Sequence, residues 1–330
     1  MASTIDLSGL TKYTDQLSQA LISEAVLAGT TFKYISLMPG VPYATAINLS
    51  TSTLVAQAGG CGLLNATGSV ALTQRSLQVC PLKVEENICE DDIKQYWLGK
   101  LMQDGSYVEE IYPKQFAQVY TADKVAKLGA LIEDYYWSGS TSNHYSNGKT
   151  LCNGILEVLE YTSGSASVIS GNSIAGTSST YSGALTTANA LAVIDNMINN
   201  LTSDANGSQV LANTDLTLFM SYSNFTTLVR ALRNINFYHS PLGQEEIGGA
   251  GRWELMYPGQ NLRVVATRGL NGLNKMVLTP AKNLYYGFDS ESDYTKFRIW
   301  TELNYDDIRF RAKFKIGAQV GFPQYVVMYK

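Results

Sequence analysis

The sequence predicts an α+β fold, with a long helix and several separate β segments around a shared core. Three observations predict it. Apolar residues recur at helical spacing from about Thr121 to Trp137. They alternate with charged residues, in strand fashion, from Thr295 to Ile316. Finally, 45% of the 330 residues are hydrophobic, which excludes bulk disorder. Because domains cluster near about 100–150 residues, two domains, or one with long extensions, are expected.

From the N-terminus, Thr11 can cap a helix over Tyr13–Leu27, with Gly29 just past its end. Its face of Tyr13, Leu17, Ala20, Leu21 and Glu24 lacks large apolar residues, so it suits docking better than core filling. Two prolines in Met38-Pro39-Gly40-Val41-Pro42 forbid helix, and a charge-free stretch then runs from Val41 to Gln74. Ile47, Leu49 and Val55 alternate with small polar residues before Gly59-Gly60-Cys61-Gly62, and Val70 and Leu72 alternate after it. That pattern predicts a long two-stranded hairpin with a glycine-rich tip.

Glu90, Asp91 and Asp92 place negative charge at the start of a helix carrying Ile93, Tyr96, Trp97 and Leu101. The longer helix to Trp137 carries a stripe of Val125, Leu128, Leu131, Ile132, Tyr135 and Tyr136, and Ser138-Gly139 ends it. Starting just after Pro113, it would be about 35 Å long. Residues 139–150 read as an exposed loop. Thr162–Thr187 reads as loops and short edges, punctuated by Val168, Ile169, Ile174 and Tyr181. A helix follows on Ala190, Ile194, Met197, Ile198 and Leu201, then a strand on alternating Leu216, Leu218 and Met220. Ser223 is expected to cap a helix bearing Phe225, Leu228, Val229 and Leu232, with strands at Leu262–Ala266 and Lys275–Leu278. At the C-terminus, Phe297, Ile299, Phe310, Ala312, Phe314 and Ile316 form the apolar face of a hairpin whose other face is basic: Arg309, Arg311, Lys313 and Lys315. No fixed-period repeat is apparent.

Charged residues reach only 16%, while Tyr numbers 21, a composition easily desolvated against another protein. The net charge of −4 argues against a dominant grip on nucleic acid. No basic-then-apolar leader opens the chain, and no apolar run approaches the about 20 residues of a membrane helix. Cys61, Cys80, Cys89 and Cys152 are irregularly spaced, so four free thiols in a reducing cytoplasm are expected.

Catalytic and cofactor constellations do not emerge. Gly148-Lys149-Thr150 ends like a phosphate-binding loop, but position 143 is Asn where glycine is required, and Asn147-Gly148 reads as a turn. His144 and His239 are the only histidines, and no serine or cysteine sits in a nucleophile-elbow sequence. Cysteine and histidine spacings fit no zinc site, and Glu90-Asp91-Asp92 lacks the alternation of a calcium loop. No catalytic residue, cofactor or metal is assigned. The basic strand face reads equally as solvated surface or as a contact with an acidic patch on a neighbour.

The order of elements resembles the major capsid proteins of tailed double-stranded DNA phages, with the Hong Kong 97-type capsid fold. IEDYYWSGS and LCNGILE, within Ile132–Glu157, look like that family's helix, glycine loop and Gly-Ile-Leu junction. Thr214–Asn234, Trp253–Leu270 and Asn283–Met328 resemble its axial strand-then-helix, following strand and closing strands. The resemblance implies an N-terminal arm (1–37), an extended hairpin loop (38–85), a peripheral domain with a spine helix (86–150), an axial domain (151–282) and a C-terminal return to the peripheral domain (283–330). It implies a structural protein, not an enzyme, whose hexamers and pentamers close an icosahedral shell around DNA without sequence-specific binding or a membrane. Separate scaffolding, portal and head-decoration proteins are the implied partners, with assembly in the host cytoplasm and residence in the virion. Arg309, Arg311, Lys313, Lys315 and the tip glycines Gly59, Gly60 and Gly62 are the expected inter-subunit contacts. Encapsulin shells share this fold and are the nearest alternative. A secreted β-rich adhesin is the alternative of a different class, though it would carry a signal peptide and paired cysteines.

Overall fold

The computed structural model describes residues 30–56, 68–89, 112–161, 173–174, 185–203, 216–234, 253–289, 296–302 and 307–329. The expected helices at Tyr13–Leu27 and Glu90–Leu101, the glycine tip and most of Thr162–Thr187 lie outside the described residues. In chain order the strands β1 (Ser36–Met38), β2 (Ala44–Thr53), β3 (Ser69–Gln78) and β4 (Cys80–Cys89) precede helix α1 (Tyr112–Ser138). Then come α2 (Ile155–Glu160), β5 (Ser173–Ile174), α3 (Ala190–Ser203), β6 (Leu216–Met220) and α4 (Tyr222–Asn234). The chain closes with β7 (Glu254–Met256), β8 (Arg263–Ala266), β9 (Met276–Pro280), β10 (Leu284–Phe288), β11 (Lys296–Glu302), β12 (Asp307–Val320) and β13 (Val327–Tyr329).

Helix α1 is the spine. Its 27 residues span about 40 Å, and it begins before Pro113, which is tolerated in a first turn. Val125, Leu128, Ile132, Tyr136 and Trp137 are buried, whereas Leu131 and Tyr135 are only half-buried. Burial of each such side chain is worth about 1.5–3 kcal/mol. Glu133 is buried on the same helix without being apolar. Its carboxylate accepts bonds from Thr30 Oγ1 (2.9 Å), Thr31 Oγ1 (2.6 Å) and Thr31 N (3.2 Å). Trp137 Nε1 donates to the same Thr31 hydroxyl at 2.9 Å, so this polar network docks Thr30–Thr31 on the spine. After Ser138 the chain folds tightly back on the helix end. A Cβ at Gly154 would stand 2.6 Å from the carbonyl oxygens of Tyr135 and Tyr136, so only glycine permits the approach.

One sheet has five strands centred on β12. The strand β4 runs antiparallel along one edge, from Cys80 opposite Ile316 to Cys89 opposite Asp307. The other edge is shared, first by β11 opposite Asp307–Lys313 and then by β10 opposite Ile316–Val320. Outside β10, β1 adds a parallel strand. Phe297, Ile299, Phe310, Ala312, Phe314 and Ile316 are all buried, as their alternation predicts, and pack into one core with α1 and α2.

A second sheet has six strands in the order β5-β13-β9-β6-β8-β7. Leu216, Leu218 and Met220 of β6 face α3 and α4, while Phe219 faces the spine, 5.2 Å from the Trp137 ring. Every residue of β6 is buried, so the sheet is covered on both sides rather than half-exposed as alternation suggested. Helix α4 is capped by Ser221, whose Oγ accepts from Asn224 N at 3.2 Å, not by the expected Ser223. The last strand, β13, pairs with β9 and β5, so residues 327–329 leave the five-stranded sheet for the six-stranded one. Hairpin β2–β3 forms a third, two-stranded sheet.

The expectation of four free thiols does not hold in this structure. Cys80 and Cys152 form a disulfide across a sequence separation of 72 residues, with Cα atoms 6.0 Å apart. Spacing along the chain carries no record of this meeting, because one cysteine opens β4 and the other lies in the loop after the spine.

Candidate inter-subunit surfaces

The basic face of β12 is wider than one strand, because the register brings neighbouring cations beside it. Lys313 stands between Lys296 of β11 and Lys83 of β4, Arg311 between Arg298 and Glu85, and Arg309 between Trp300 and Asn87. Cross-strand neighbours lie about 5 Å apart and next-but-one residues about 6.7 Å apart, so the face is a compact lattice of cations. Glu85 stands acidic within it, and the paired Glu302 and Asp307 fall on the same face at its far end. The Glu85 carboxylate pairs with Lys83 Nζ at 2.8 Å and forms an ion pair with Arg311, whose Nε lies 2.5 Å away, while the Arg311 guanidinium lies 5.0 Å from the Trp300 ring centre. Hydrogen bonding from Lys83, reinforced by Arg311, holds the Glu85 carboxyl below the usual carboxylate range.

Lys315 departs from the expected contact set. It belongs to the same alternation, yet it is buried where the edge of β12 passes from β11 to β10. There Nζ donates to Asp289 Oδ2 (2.8 Å) and to the Pro42 carbonyl (2.9 Å), and it lies 5.0 Å from the Tyr43 ring centre. Lys315 therefore ties β12 to the neck of the β2–β3 hairpin within its own subunit. Arg309, Arg311 and Lys313 are half-buried, and Arg298, Lys83 and Glu85 are exposed.

The hairpin itself divides into two parts. At its root Ile47, Leu49 and Leu77 form a small buried cluster with Met38, Tyr285 and Phe322 packed on it. A Cβ at Gly287 would meet Leu77 Cδ2 at 2.6 Å, so β10 and the hairpin touch closely there. Arg75 and Gln319 add a polar contact, and Gln319 Nε2 donates to Ser76 O at 2.8 Å. Beyond the root no described residue covers the strands: Leu72 is 79% exposed and Leu54 95%. The pairs holding that half are small and polar, such as Thr53–Ser69 (2.8 Å) and Gln74–Asn48 (2.9 Å). Gly59, Gly60 and Gly62 fall outside the described residues.

His144, in the loop after the spine, touches Ser140 and Glu157, a set that invites comparison with a proton relay. Both carboxylate oxygens of Glu157 lie 2.9 Å from Nδ1, and Ser140 Oγ lies 3.5 Å from that same nitrogen. A relay needs serine and carboxylate on opposite ring nitrogens, so this set cannot pass a proton from Ser140 to Glu157. The imidazole also stacks on Tyr161 at 3.8 Å. Asn147 Oδ1 accepts from Lys149 N at 3.0 Å, the turn expected of Asn147-Gly148. His239 lies outside the described residues. Among the described residues no cluster of His, Cys, Asp and Glu could hold a metal, and no helix is long and apolar enough to cross a membrane.

No family model matches the sequence, and no curated protein matches it. Solved structures do. A chain of the satellite phage P4 procapsid including size determination (Sid) protein is similar at TM-score 0.56 and 11% identity, covering 95% of this chain and 98% of its own. A chain of the capsid of the empty GTA particle is similar at TM-score 0.53 and 12% identity, covering 92% and 89%. One from Microbacterium phage Oxtober96 reaches 0.50 at 14% identity, covering 92% and 90%. The fold is the Hong Kong 97-type capsid fold, with helices and sheets both present.

Proposed function

We propose that this chain is the structural subunit of a phage head, a major capsid protein that self-assembles into a closed icosahedral shell around double-stranded DNA. The observation that carries this reading is the end-to-end match with a procapsid chain, 95% of one covering 98% of the other. A fold alone does not fix a function, so the reading also leans on the surfaces. A ten-pair hairpin whose outer half is uncharged, carries exposed Val70 and Leu72, and is covered by no described residue is a poor free element in water. It becomes reasonable when it lies across an adjacent copy, with Gly59, Gly60 and Gly62 reaching that copy. Arg309, Arg311 and Lys313 would face an acidic patch of a neighbour. Lys315, already paired with Asp289, would act only by holding the hairpin neck.

The subunit on this reading is not an enzyme. It forms hexamers and pentamers, works with separate scaffolding, portal and head-decoration proteins, is assembled in the host cytoplasm and resides in the virion. Heterologous contacts that close produce rings, so the particle mass should far exceed the 36.0 kDa of one chain. Electron microscopy and light scattering of the purified protein test this. Closed shells with nuclease-protected DNA are expected from infected cells. Shells packed with protein cargo would indicate the encapsulin alternative, and a 36.0 kDa monomer at every salt and protein concentration would remove the shell reading altogether.

A further inference from the structure

The Cys80–Cys152 bond joins two places that the fold already brings together. Cys80 stands opposite Ile316 in the β4–β12 ladder. Cys152 is buried in the core, and its loop is closed by Gly154 N to Gly139 O (2.8 Å), Ser140 N to Lys149 O (2.9 Å) and Thr141 N to Asn153 Oδ1 (2.8 Å). None of these contacts uses either sulfur. The Cα separation of 6.0 Å lies within the range a disulfide spans, so the folded dithiol presents both sulfurs ready to react. Unlike a small secreted domain, a chain with two large buried clusters needs no cross-link to fold.

We propose that Cys80 and Cys152 are a redox-controlled staple, reduced while the subunit folds and assembles, and closed when the particle meets an oxidising medium. The timing rests on the shell reading above; the chemistry does not. Cys80 is half-buried and Cys152 buried, so Cys80 is the point of entry. Its thiolate attacks a small external disulfide such as oxidised glutathione, forming a mixed disulfide and releasing one small thiolate. The Cys152 thiolate then displaces the second small thiolate and closes the protein bond. Two protein thiols give up two electrons and two protons, and the external disulfide becomes two thiols. Because β4 begins just after β3 ends, the closed bond fixes the chain at the base of the hairpin's return strand to the loop between the spine and α2.

Cells lysed in N-ethylmaleimide, followed by peptide mass spectrometry, trap the thiol state, and a second sample is treated with oxidised glutathione. The expected result is alkylated Cys80 and Cys152 in the trapped sample and a Cys80–Cys152 cross-linked peptide after oxidation. Closing a loop of this length should raise the melting temperature on the order of 5 °C. The variants Cys80→Ser and Cys152→Ser should lose both the peptide and the redox-dependent shift. If they do not fold, the oxidised and reduced wild type still gives the comparison. A bond already complete in the trapped sample, no cross-linked peptide after oxidation, or equal melting temperatures would each overturn the proposal. Sedimentation of the same samples reads assembly separately, so a staple without shells, or shells without a staple, are distinct outcomes.

Discussion

The hairpins β2–β3 and β11–β12 share an antiparallel backbone and an alternating sequence, yet one is half of a core and the other is mostly bare. In β11–β12 the alternating residues are Phe297, Ile299, Phe310, Phe314 and Ile316, all buried against the spine. In β2–β3, among the described residues, Ile47, Leu49 and Leu77 find cover, whereas Val70, Leu72 and the following Leu54 are exposed. Alternation thus specifies a strand in both places, but the size of the inward residue decides whether the strand belongs to its own subunit. The β11–β12 edges also carry charge, whereas those of β2–β3 are short polar side chains that do nothing to repel a foreign surface.

Truncating one residue in each hairpin should separate the two kinds most sharply. Phe310→Ala removes a buried ring lying 5.0 Å from Phe297 and should cost about 3–5 kcal/mol by urea unfolding. Leu72→Ala should leave the free subunit within about 0.5 kcal/mol of wild type while lowering the yield of assembled particles. A large stability loss for Leu72→Ala would place the outer hairpin on its own domain and erase the contrast.

How far these differences could be read in advance depends on whether they are local. The end of the spine was legible because Ser138-Gly139 and the stripe before it are neighbours in sequence. Its start, read at about Thr121 or, if earlier, just after Pro113, lies at Tyr112, because the apolar stripe begins after the helix does. The closing hairpin was legible for the same local reason. Arg298 lay in that same local alternation, but Lys83 was not legible, since bringing β4 beside β12 depends on pairing strands more than 200 residues apart. The buried state of Lys315 was equally hidden, being set by a break in the pairing partner and by the hairpin neck. Glu133 carried no apolar signal, and only its threonine partners, about 100 residues earlier, explain its burial.

Limited proteolysis extends the comparison to the intact particle. The hairpin tip near Gly59–Gly62 should be cut rapidly in free subunits and protected in shells, because openings with few buried contacts are those proteases find. The β11–β12 hairpin should resist in both states. Equal resistance of the tip in free and assembled protein would mean that the hairpin needs no neighbour.

Charge reversal at Arg311 is the mildest change to the subunit and the most specific to the lattice. The side chain stands on the face opposite Phe310 and Ala312, so Arg311→Glu leaves the core intact, and the far-ultraviolet circular dichroism should match wild type. It removes the Glu85 contact, sets two carboxylates side by side and lowers the positive charge of the face, so assembly yield should fall most at low salt, where screening is weakest. The pH dependence has a defined sign. The Glu85 carboxyl is lowered in the folded wild type, so its stabilising contribution is present above the ordinary carboxylate value and is lost as pH falls through the lowered one. In Arg311→Glu the Lys83 contact remains while the cation is replaced by an anion, so Glu85 should hold its proton to higher pH. Nuclear magnetic resonance titration of that carboxyl in wild type and variant reads the shift directly. An unshifted carboxyl, together with unchanged assembly at low salt, would return this strand face to ordinary solvated surface.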